Sequence, residues 1–291
     1  MTQRRWEPDP VMVGTDGSEE GTQAVRWAAR EAVLRGTGLH VVHSWLWPLF
    51  HVPLGGSPMA PPGSGLEAAA HGVLEGARST ARSVGGDHLL VETTLAVGEP
   101  RTELLRRAAG ASLVVVGNRG LGGFTGLLLG STGIALSAHS PRPVVVVRGR
   151  AGPQGPVVVG LDGALAADAV LRRALSEARL RGASLRVVHA WALGLGGAAH
   201  TFAEAEERGR QAGQELVDKA LARLSSEATA DVAISVQLGD RSPAAELVAT
   251  SQDAQLLVVG SRDLGSLRGM LLGSTTHAVL HHADCPVLVD R

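Results

Sequence analysis

Short apolar runs alternate with longer helical patterns along the chain. The runs at 11–14 (VMVG) and 144–147 (VVVV) are apolar at every position rather than at every second one. That pattern is typical of strands covered on both faces, as in a parallel sheet. The alternation therefore predicts right-handed crossover connections and an α/β, doubly wound sheet with helices on both faces.

The first half of the chain predicts five strands and four helices. The strands are expected at 11–14, 39–43, 89–96, 112–116 and 144–147, and the helices at 18–35, 66–84, 100–109 and 131–138. The proline-rich segment 45–65 between the second strand and the second helix is predicted to be a long loop, either a lid or a disordered segment.

The chain repeats itself. PDPVMVGTDGS at 8–18 matches QGPVVVGLDGA at 154–164, and ASLVVVGNRG at 111–120 matches AQLLVVGSRD at 254–263. The offset is 146 residues for the first match and 143 for the second, so a small insertion or deletion separates the copies. A repeat of this length is a duplicated domain rather than a solenoid. With the Gly/Pro-rich join RGRAGPQGP, it predicts one domain at 1–150 and a second copy of the same domain at 151–291.

Composition removes several classes of function. The formal net charge of −1 gives no sign of a nucleic-acid or membrane partner. The single cysteine, Cys285, rules out an intrachain disulfide and a Cys-rich metal site. Neither a signal peptide nor a membrane-spanning run is visible, so a cytoplasmic protein is expected.

A glycine-dense loop follows the fourth predicted strand. The chain reads GNRGLGGFTGLLLGST at 117–132, and a helix is predicted from the Ser-Thr pair onward. Free N–H groups and the dipole at a helix start favour phosphate, while glycine lets the backbone approach closely. Glycines needed only for tight turns are the alternative. The recurrence of Gly-Ser-Thr at 273–275 argues against that alternative.

Two familiar phosphate sites do not fit. A Walker A loop needs a lysine, and the only lysine of the chain is Lys219. A dinucleotide-binding loop should follow the first strand, but GTDGS there carries Asp16, which would repel a diphosphate. The phosphates are therefore expected at the fourth strand. Asp16 is left to face a sugar hydroxyl or a base, or to form an Asx turn.

The spacing Gly117-x2-Gly120-x9-Gly130-Ser131 resembles the signature of the ATP-binding universal stress proteins. The GTDGS turn, the VVHSW strand end and the final Pro-Val-Val-Val-Val strand are similar to the same family. The resemblance covers nearly the whole chain. It implies a five-stranded parallel sheet of order 3-2-1-4-5 in each domain, ATP bound with a divalent cation such as Mg2+, and pairing through the last strands, both within the chain and in a homodimer.

The resemblance also implies the binding residues. Asp16 would contact ribose or adenine, the backbone near Ser44 the adenine edge, and the glycine loop the ribose and phosphates. The implied first-copy residues are Gly14, Asp16, Ser44, Gly117, Asn118, Arg119, Gly120, Gly122, Gly123, Gly130, Ser131 and Thr132. Their second-copy counterparts are Gly160, Asp162, Ala190, Gly260, Ser261, Arg262, Gly273, Ser274 and Thr275.

The second copy departs from this signature at one position, where Asp263 replaces the glycine equivalent to Gly120. An acid near a triphosphate costs binding energy, because two unit charges about 4 Å apart interact by about 4 kcal/mol at an effective dielectric near 20. The sequence therefore predicts weaker ATP binding in the second copy.

No side chains are predicted to be catalytic, and no metal site is predicted. His277 and His281 are spaced as a helical metal pair but lack a third ligand, and His43 and His189 are expected to be packed strand-end residues. Cys285 is predicted to be a buried small residue. The expected function is an ATP-binding, nucleotide-responsive regulatory module of the stress response with little or no turnover. The alternative is a slow ATPase or an enzyme that cleaves ATP at the α-phosphate.

Overall fold

A computed structural model describes residues 9–45, 65–120, 129–149, 154–163, 167–191, 202–224, 229–261 and 272–290. The chain divides into two compact units, Met1–Val144 and Val145–Arg291. This division falls inside the strand Val144–Val147, and the domain boundary between 150 and 151 stays a prediction.

Strands and helices alternate in the first copy as predicted, with ends that differ by at most two residues. In chain order they are β1 (Val11–Gly14), α1 (Glu19–Arg35), β2 (Leu39–Trp45), α2 (Leu66–Gly85), β3 (Val91–Val97), α3 (Pro100–Ala108), β4 (Leu113–Gly117), α4 (Ser131–His139) and β5 (Val144–Val147). The predicted long loop lies almost entirely outside the described residues.

The second copy repeats this order. Its described elements are β6 (Val157–Gly160), α5 (Ala167–Leu180), β7 (Leu185–Ala190), α6 (Phe202–Ala222), β8 (Ile234–Gly239), α7 (Pro243–Thr250), β9 (Leu256–Gly260), α8 (Ser274–His282) and β10 (Val287–Asp290). None of the helices that the structure describes is long and apolar enough to span a bilayer.

Each copy carries the predicted strand order of third, second, first, fourth and fifth. The order is β3-β2-β1-β4-β5 in the first copy and β8-β7-β6-β9-β10 in the second. The central strand β1 pairs in parallel with β2 and β4, so that Gly14 lies opposite both Val42 and Val116. Because the winding reverses between β1 and β4, their carboxyl ends frame the crevice where such sheets bind ligands.

Burial explains why the strands are apolar throughout. Every residue of β1 is buried, as are the first four residues of β4. A side chain of valine or leucine size contributes about 1.5–3 kcal/mol when fully buried. The continuous apolar runs therefore determine the fold class. They leave the polar residues at the ends of the strands.

Candidate functional site

A pocket of about 470 Å³ opens at the carboxyl ends of β1 and β4. Its lining comes from the ends of three strands and the starts of three helices. The lining residues are Gly14, Thr15, Asp16, Gly21, Val42, Ser44, Pro100, Leu104, Val116, Gly117, Arg119, Gly120, Leu129, Gly130, Ser131, Thr132 and Gly133.

Nine of the twelve first-copy residues implied by the sequence line this pocket. They are Gly14, Asp16, Ser44, Gly117, Arg119, Gly120, Gly130, Ser131 and Thr132. Asn118 is not part of the lining, and Gly122 and Gly123 lie outside the described residues. Their roles in binding a ligand stay predictions.

The sequence did not predict the apolar wall of the pocket or two further glycines in its lining, Gly21 and Gly133. Val42, Leu104, Val116 and Leu129 are buried apolar residues, and nothing in the sequence separates them from other core positions. Gly21 escaped notice because its need for a small side chain arises only from contacts in the folded loop.

Asp16 forms the Asx turn that the sequence left open. Its Oδ1 accepts hydrogen bonds from the Ser18 backbone N–H at 3.0 Å and from the Ser18 hydroxyl at 2.5 Å. Ser18 in turn caps α1, because its Oγ accepts from the Gly21 N–H at 3.0 Å. The turn and the cap thus lock the carboxylate at the pocket wall.

Close backbone approach explains two of the glycines. A Cβ atom at Gly120 would overlap Oδ2 of Asp16, so a side chain there displaces the carboxylate or the loop. A Cβ atom at Gly117 would lie 2.8 Å from the Glu20 carbonyl oxygen, which is backbone at the start of α1. Both positions require glycine for the loop to close over the end of β1.

The phosphate end of the predicted site is the first turn of α4. Gly130 is the N-cap residue, and its own N–H donates to the Asn118 carbonyl at 2.8 Å. Ser131, Thr132 and Gly133 follow in the pocket wall. Amide groups in a first helical turn lack partners within the helix, and they carry the positive end of its dipole. Asn118 therefore anchors the helix start through its backbone.

Ser44 ties the opposite wall together. Its hydroxyl donates to the Gly98 carbonyl at 2.7 Å, joining the end of β2 to the connection between β3 and α3. That connection presents Pro100 and Leu104 to the pocket. Leu104 also packs closely over Gly14, where a Cβ atom would lie 2.7 Å from its Cδ1.

The other residues considered from sequence lie outside this pocket. The rings of His277 and His281 have centroids 4.5 Å apart, and the described part of the chain contains no group of three or more His, Cys, Asp or Glu residues that could hold a metal ion. Cys285 is buried as predicted. Burial raises the pKa of its thiol to about 12, so it is a poor source of thiolate.

The second copy builds the same frame. Gly273 caps α8 and donates its N–H to the Ser261 carbonyl at 3.0 Å, as Gly130 does to Asn118. The remaining implied residues that the structure describes lie at the ends of β6, β7 and β9 and at the start of α8. They are Gly160, Asp162, Ala190, Gly260, Ser274 and Thr275. Arg262 and Asp263 lie outside the described residues.

Residues 8–148 and 155–291 each match the model of the universal stress protein family. The chain belongs to the universal stress protein family. A universal stress protein of Mycolicibacterium smegmatis is 35% identical over 289 residues, which cover 97% of this chain and 96% of that protein. One from Mycobacterium tuberculosis is 36% identical over 300 residues, covering 97% of this chain and 96% of the relative.

Solved structures agree on the fold. A universal stress protein from Archaeoglobus fulgidus superposes with a TM-score of 0.65 at 19% identity, covering 97% of this chain and 98% of that one. Together with the observed strand order, this similarity confirms two tandem universal stress protein folds in the chain.

Proposed function

We propose that the first copy of this universal stress protein binds ATP in the pocket between β1 and β4. The protein then acts as a nucleotide-responsive binding module of the stress response with little or no turnover. The observation that supports this proposal best is the pairing, within one pocket, of a helix start and glycine loop at one end with an apolar wall and a carboxylate at the other.

The phosphates belong at the start of α4. The first helical turn offers amide groups and the hydroxyls of Ser131 and Thr132, and Arg119 adds a cationic side chain to the same lining. Oriented amides and a helix dipole are suited to anions. Arg119 is the single cationic side chain in the described lining, so the backbone amides would supply most of the other phosphate contacts.

The nucleoside belongs at the other end. Val42, Leu104 and Val116 give an apolar surface for a base, and the Asp16 carboxylate is an acceptor for sugar hydroxyls. A volume of about 470 Å³ lies within the range of roughly 300–1,000 Å³ that small-molecule sites occupy. The polar and apolar ends together favour a nucleotide over a free phosphate.

A magnesium ion fits this site as a companion of the nucleotide. Mg2+ keeps several waters and is bound mostly by substrate phosphates with one or two protein oxygens. The hydroxyls of Ser131 and Thr132 are the protein oxygens at the proposed phosphate end. The ion would neutralise phosphate charge there, and the chain's own residues would bind and orient the nucleotide.

The hydrogen bonds of Asp16 support the proposal of low turnover. Oδ1 of Asp16 already accepts two hydrogen bonds from Ser18, so the Asx turn holds this carboxylate in a positioning role. A general base must reach the proton that it abstracts, and Asp16 is the only carboxylate in the described lining.

We propose that the second copy binds nucleotide more weakly. In the first copy the position of Gly120 abuts the Asp16 carboxylate, and the second copy carries acids at both equivalent positions, Asp162 and Asp263. Two acids in that arrangement would repel each other and the phosphates.

Pairing through the last strands and a cytoplasmic homodimer also remain proposals, based on the family resemblance. Light scattering on the eluted protein would test the dimer, since a mass of 30.0 kDa would identify a monomer.

Calorimetric titration with ATP, ADP, AMP, cyclic AMP and GTP tests the binding proposal, in Mg2+ and in EDTA. We expect saturable ATP binding that weakens in EDTA. A parallel assay follows phosphate and AMP release, and turnover far below about 1 s⁻¹ is expected, given that typical enzymes reach roughly 1–10³ s⁻¹. Absence of binding at millimolar ATP would refute the proposal, and turnover in the enzymatic range would favour the ATP-cleaving alternative.

A further inference from the structure

Two histidines at matched positions bind the backbone of the loops that carry the two aspartates. His43, near the end of β2, is 9% exposed, and its Nδ1 lies 2.8 Å from the Thr15 carbonyl oxygen. His189, near the end of β7, places its Nδ1 2.7 Å from the Leu161 carbonyl oxygen. A carbonyl oxygen only accepts hydrogen bonds, so Nδ1 carries the proton in both rings.

The same bond forms although the accepting residue differs between the copies. Thr15 and Leu161 share only their backbone, so each imidazole binds the chain itself rather than a particular side chain. The arrangement is thus retained in both copies although the residue that accepts the hydrogen bond has changed. This makes an incidental contact a poor explanation.

With the bond from the imidazole, both backbone groups of Thr15 form hydrogen bonds to residues of β2. The Thr15 N–H donates to the Val42 carbonyl at 3.0 Å, and the Thr15 carbonyl accepts from His43. The backbone pairing of β1 with β2 ends at Gly14 opposite Val42. The ring therefore continues the hydrogen bonding one residue beyond the sheet, where the binding loop begins.

These two hydrogen bonds determine the orientation of the peptide group between Thr15 and Asp16. In a trans peptide the C=O of one residue and the N–H of the next point in opposite directions. Because the Thr15 carbonyl points toward β2, the Asp16 N–H points to the opposite side of β1, where β4 lies. The pocket opens between β1 and β4, and both Thr15 and Asp16 line it.

We propose that His43 is a positioning residue for nucleotide binding. It fixes the Thr15–Asp16 peptide, and with it the Asx turn, so that the backbone and carboxylate of Asp16 face the ligand. His43 itself neither touches the nucleotide nor transfers a proton. This role rests on the proposed nucleotide function, and His189 has the corresponding relation to Asp162 in the second copy.

The test compares two amide side chains that differ only in reach. His43→Asn keeps an N–H donor near the place of Nδ1, whereas His43→Gln moves the donor one bond further along the side chain. His43→Leu removes the donor and keeps an apolar side chain. His189→Leu is the matched control, because it makes the same change in the other copy.

ATP affinity is measured by calorimetry, and folding of each variant is checked by circular dichroism and thermal unfolding. We expect His43→Leu and His43→Gln to weaken ATP binding roughly 10-fold, while His43→Asn stays within about 3-fold of the wild type. His189→Leu should leave the tight site unchanged. The comparison of Asn with Gln remains decisive if the Leu variant does not fold.

Two results would overturn the role of His43. Affinities for Gln or Leu equal to that of the wild type would show that the bond does not position Asp16. An Asn variant that folds but binds as poorly as Gln would show that the donor at Nδ1 is not what matters. Failure of the wild-type protein to bind any nucleotide is a separate outcome, which refutes the proposed function and this role together.

Discussion

The two copies share a backbone frame and differ in the side chains that occupy it. Both place a histidine Nδ1 on the carbonyl that follows the first strand, and both tie the N-cap glycine of the last helix to the end of the fourth strand. The first copy adds polar groups to this frame at Thr15 and Ser44, where the second has Leu161 and Ala190. The frame thus survived duplication while the chemistry of the crevice changed.

The changes after the first strand belong together. A Cβ atom at Gly21 would lie 2.8 Å from Thr15 Oγ1 and 2.9 Å from Asp16 Oδ1, so the polar turn of the first copy requires glycine there. The second copy has Ala167 at that position and Leu161 in place of Thr15. Replacing one residue of a copy by its counterpart in the other copy should therefore disturb the binding site more than the change in side-chain size alone suggests.

The largest predicted effect on ATP affinity comes from introducing into the first copy the acid that the second copy carries as Asp263. Gly120→Asp places a side chain against Asp16 Oδ2 and a second negative charge in the pocket. Because charges about 4 Å apart interact by about 4 kcal/mol at an effective dielectric near 20, we expect at least a roughly 100-fold loss of ATP affinity by calorimetry.

Gly110→Asp is the control for that change. Gly110 lies exposed in the turn after α3, where the nearest atom to an added Cβ is 3.8 Å away. The control should bind ATP as the wild type does. If Gly120→Asp also retained wild-type affinity, the proposed cause of the difference between the copies would be wrong.

A smaller effect is expected at the start of α8. The Thr276 hydroxyl donates to the Gly260 carbonyl at 2.6 Å, and the residue is 1% exposed, whereas the first copy has Gly133 at this position. Thr276→Val leaves that carbonyl without this donor and should lower the free energy of unfolding by about 1–3 kcal/mol in urea. Thr80→Val removes a similar hydrogen bond on the exposed face of α2 and should cost less than about 0.5 kcal/mol. Equal losses would contradict the importance of burial at Thr276.

Removing the N-cap of α1 should lower the free energy of unfolding by about 1 kcal/mol. Ser18→Ala removes both the cap to Gly21 and the hydroxyl bonded to Asp16, so urea unfolding should show the lower stability and calorimetry a several-fold weaker ATP affinity. Ser242→Ala removes the N-cap of α7 in the second copy and should lower stability alone. An unchanged ATP affinity in Ser18→Ala would show that the cap does not support Asp16.

The smallest predicted difference is in the response to acid. Burial, with nearby His277, His282 and Arg148, holds the pKa of His281 below its usual 6.5, and the first copy has Ala138 at the matched position. A histidine with a lowered folded pKa binds more protons when unfolded. Its contribution to stability is therefore present above pH 6.5 and is lost as pH falls from 6.5 toward the folded pKa.

Urea unfolding of His281→Ala at several pH values checks this. The variant should lose less stability than the wild type between about pH 7 and pH 5. Parallel curves for His281→Ala and the wild type would remove His281 as the cause.

The frame of the molecule could be read from the sequence because parallel strands buried on both faces leave continuous apolar runs. Element ends were less accessible. The third strand, for example, was expected at 89–96 but runs from Val91 to Val97. Such ends depend on individual hydrogen bonds rather than on periodicity.

The lining of the pocket was predictable where it depends on backbone, because the glycine spacing reflects close approach of the chain. It was not predictable where it depends on packing. Val42 and Leu104 look like any core residues, and only the folded chain shows that they face a pocket. The hydrogen bond from His43 to the Thr15 carbonyl was also not predicted, because the two residues lie 28 positions apart in the chain.

Nucleotide content per chain is the most direct test of the asymmetry between the copies. The purified protein is saturated with Mg-ATP, washed, extracted with acid, and its nucleotide quantified against protein for the wild type and Gly120→Asp. We predict one ATP per wild-type chain and almost none in the variant. Two ATP per wild-type chain, or one remaining in Gly120→Asp, would contradict the assignment of tight binding to the first copy.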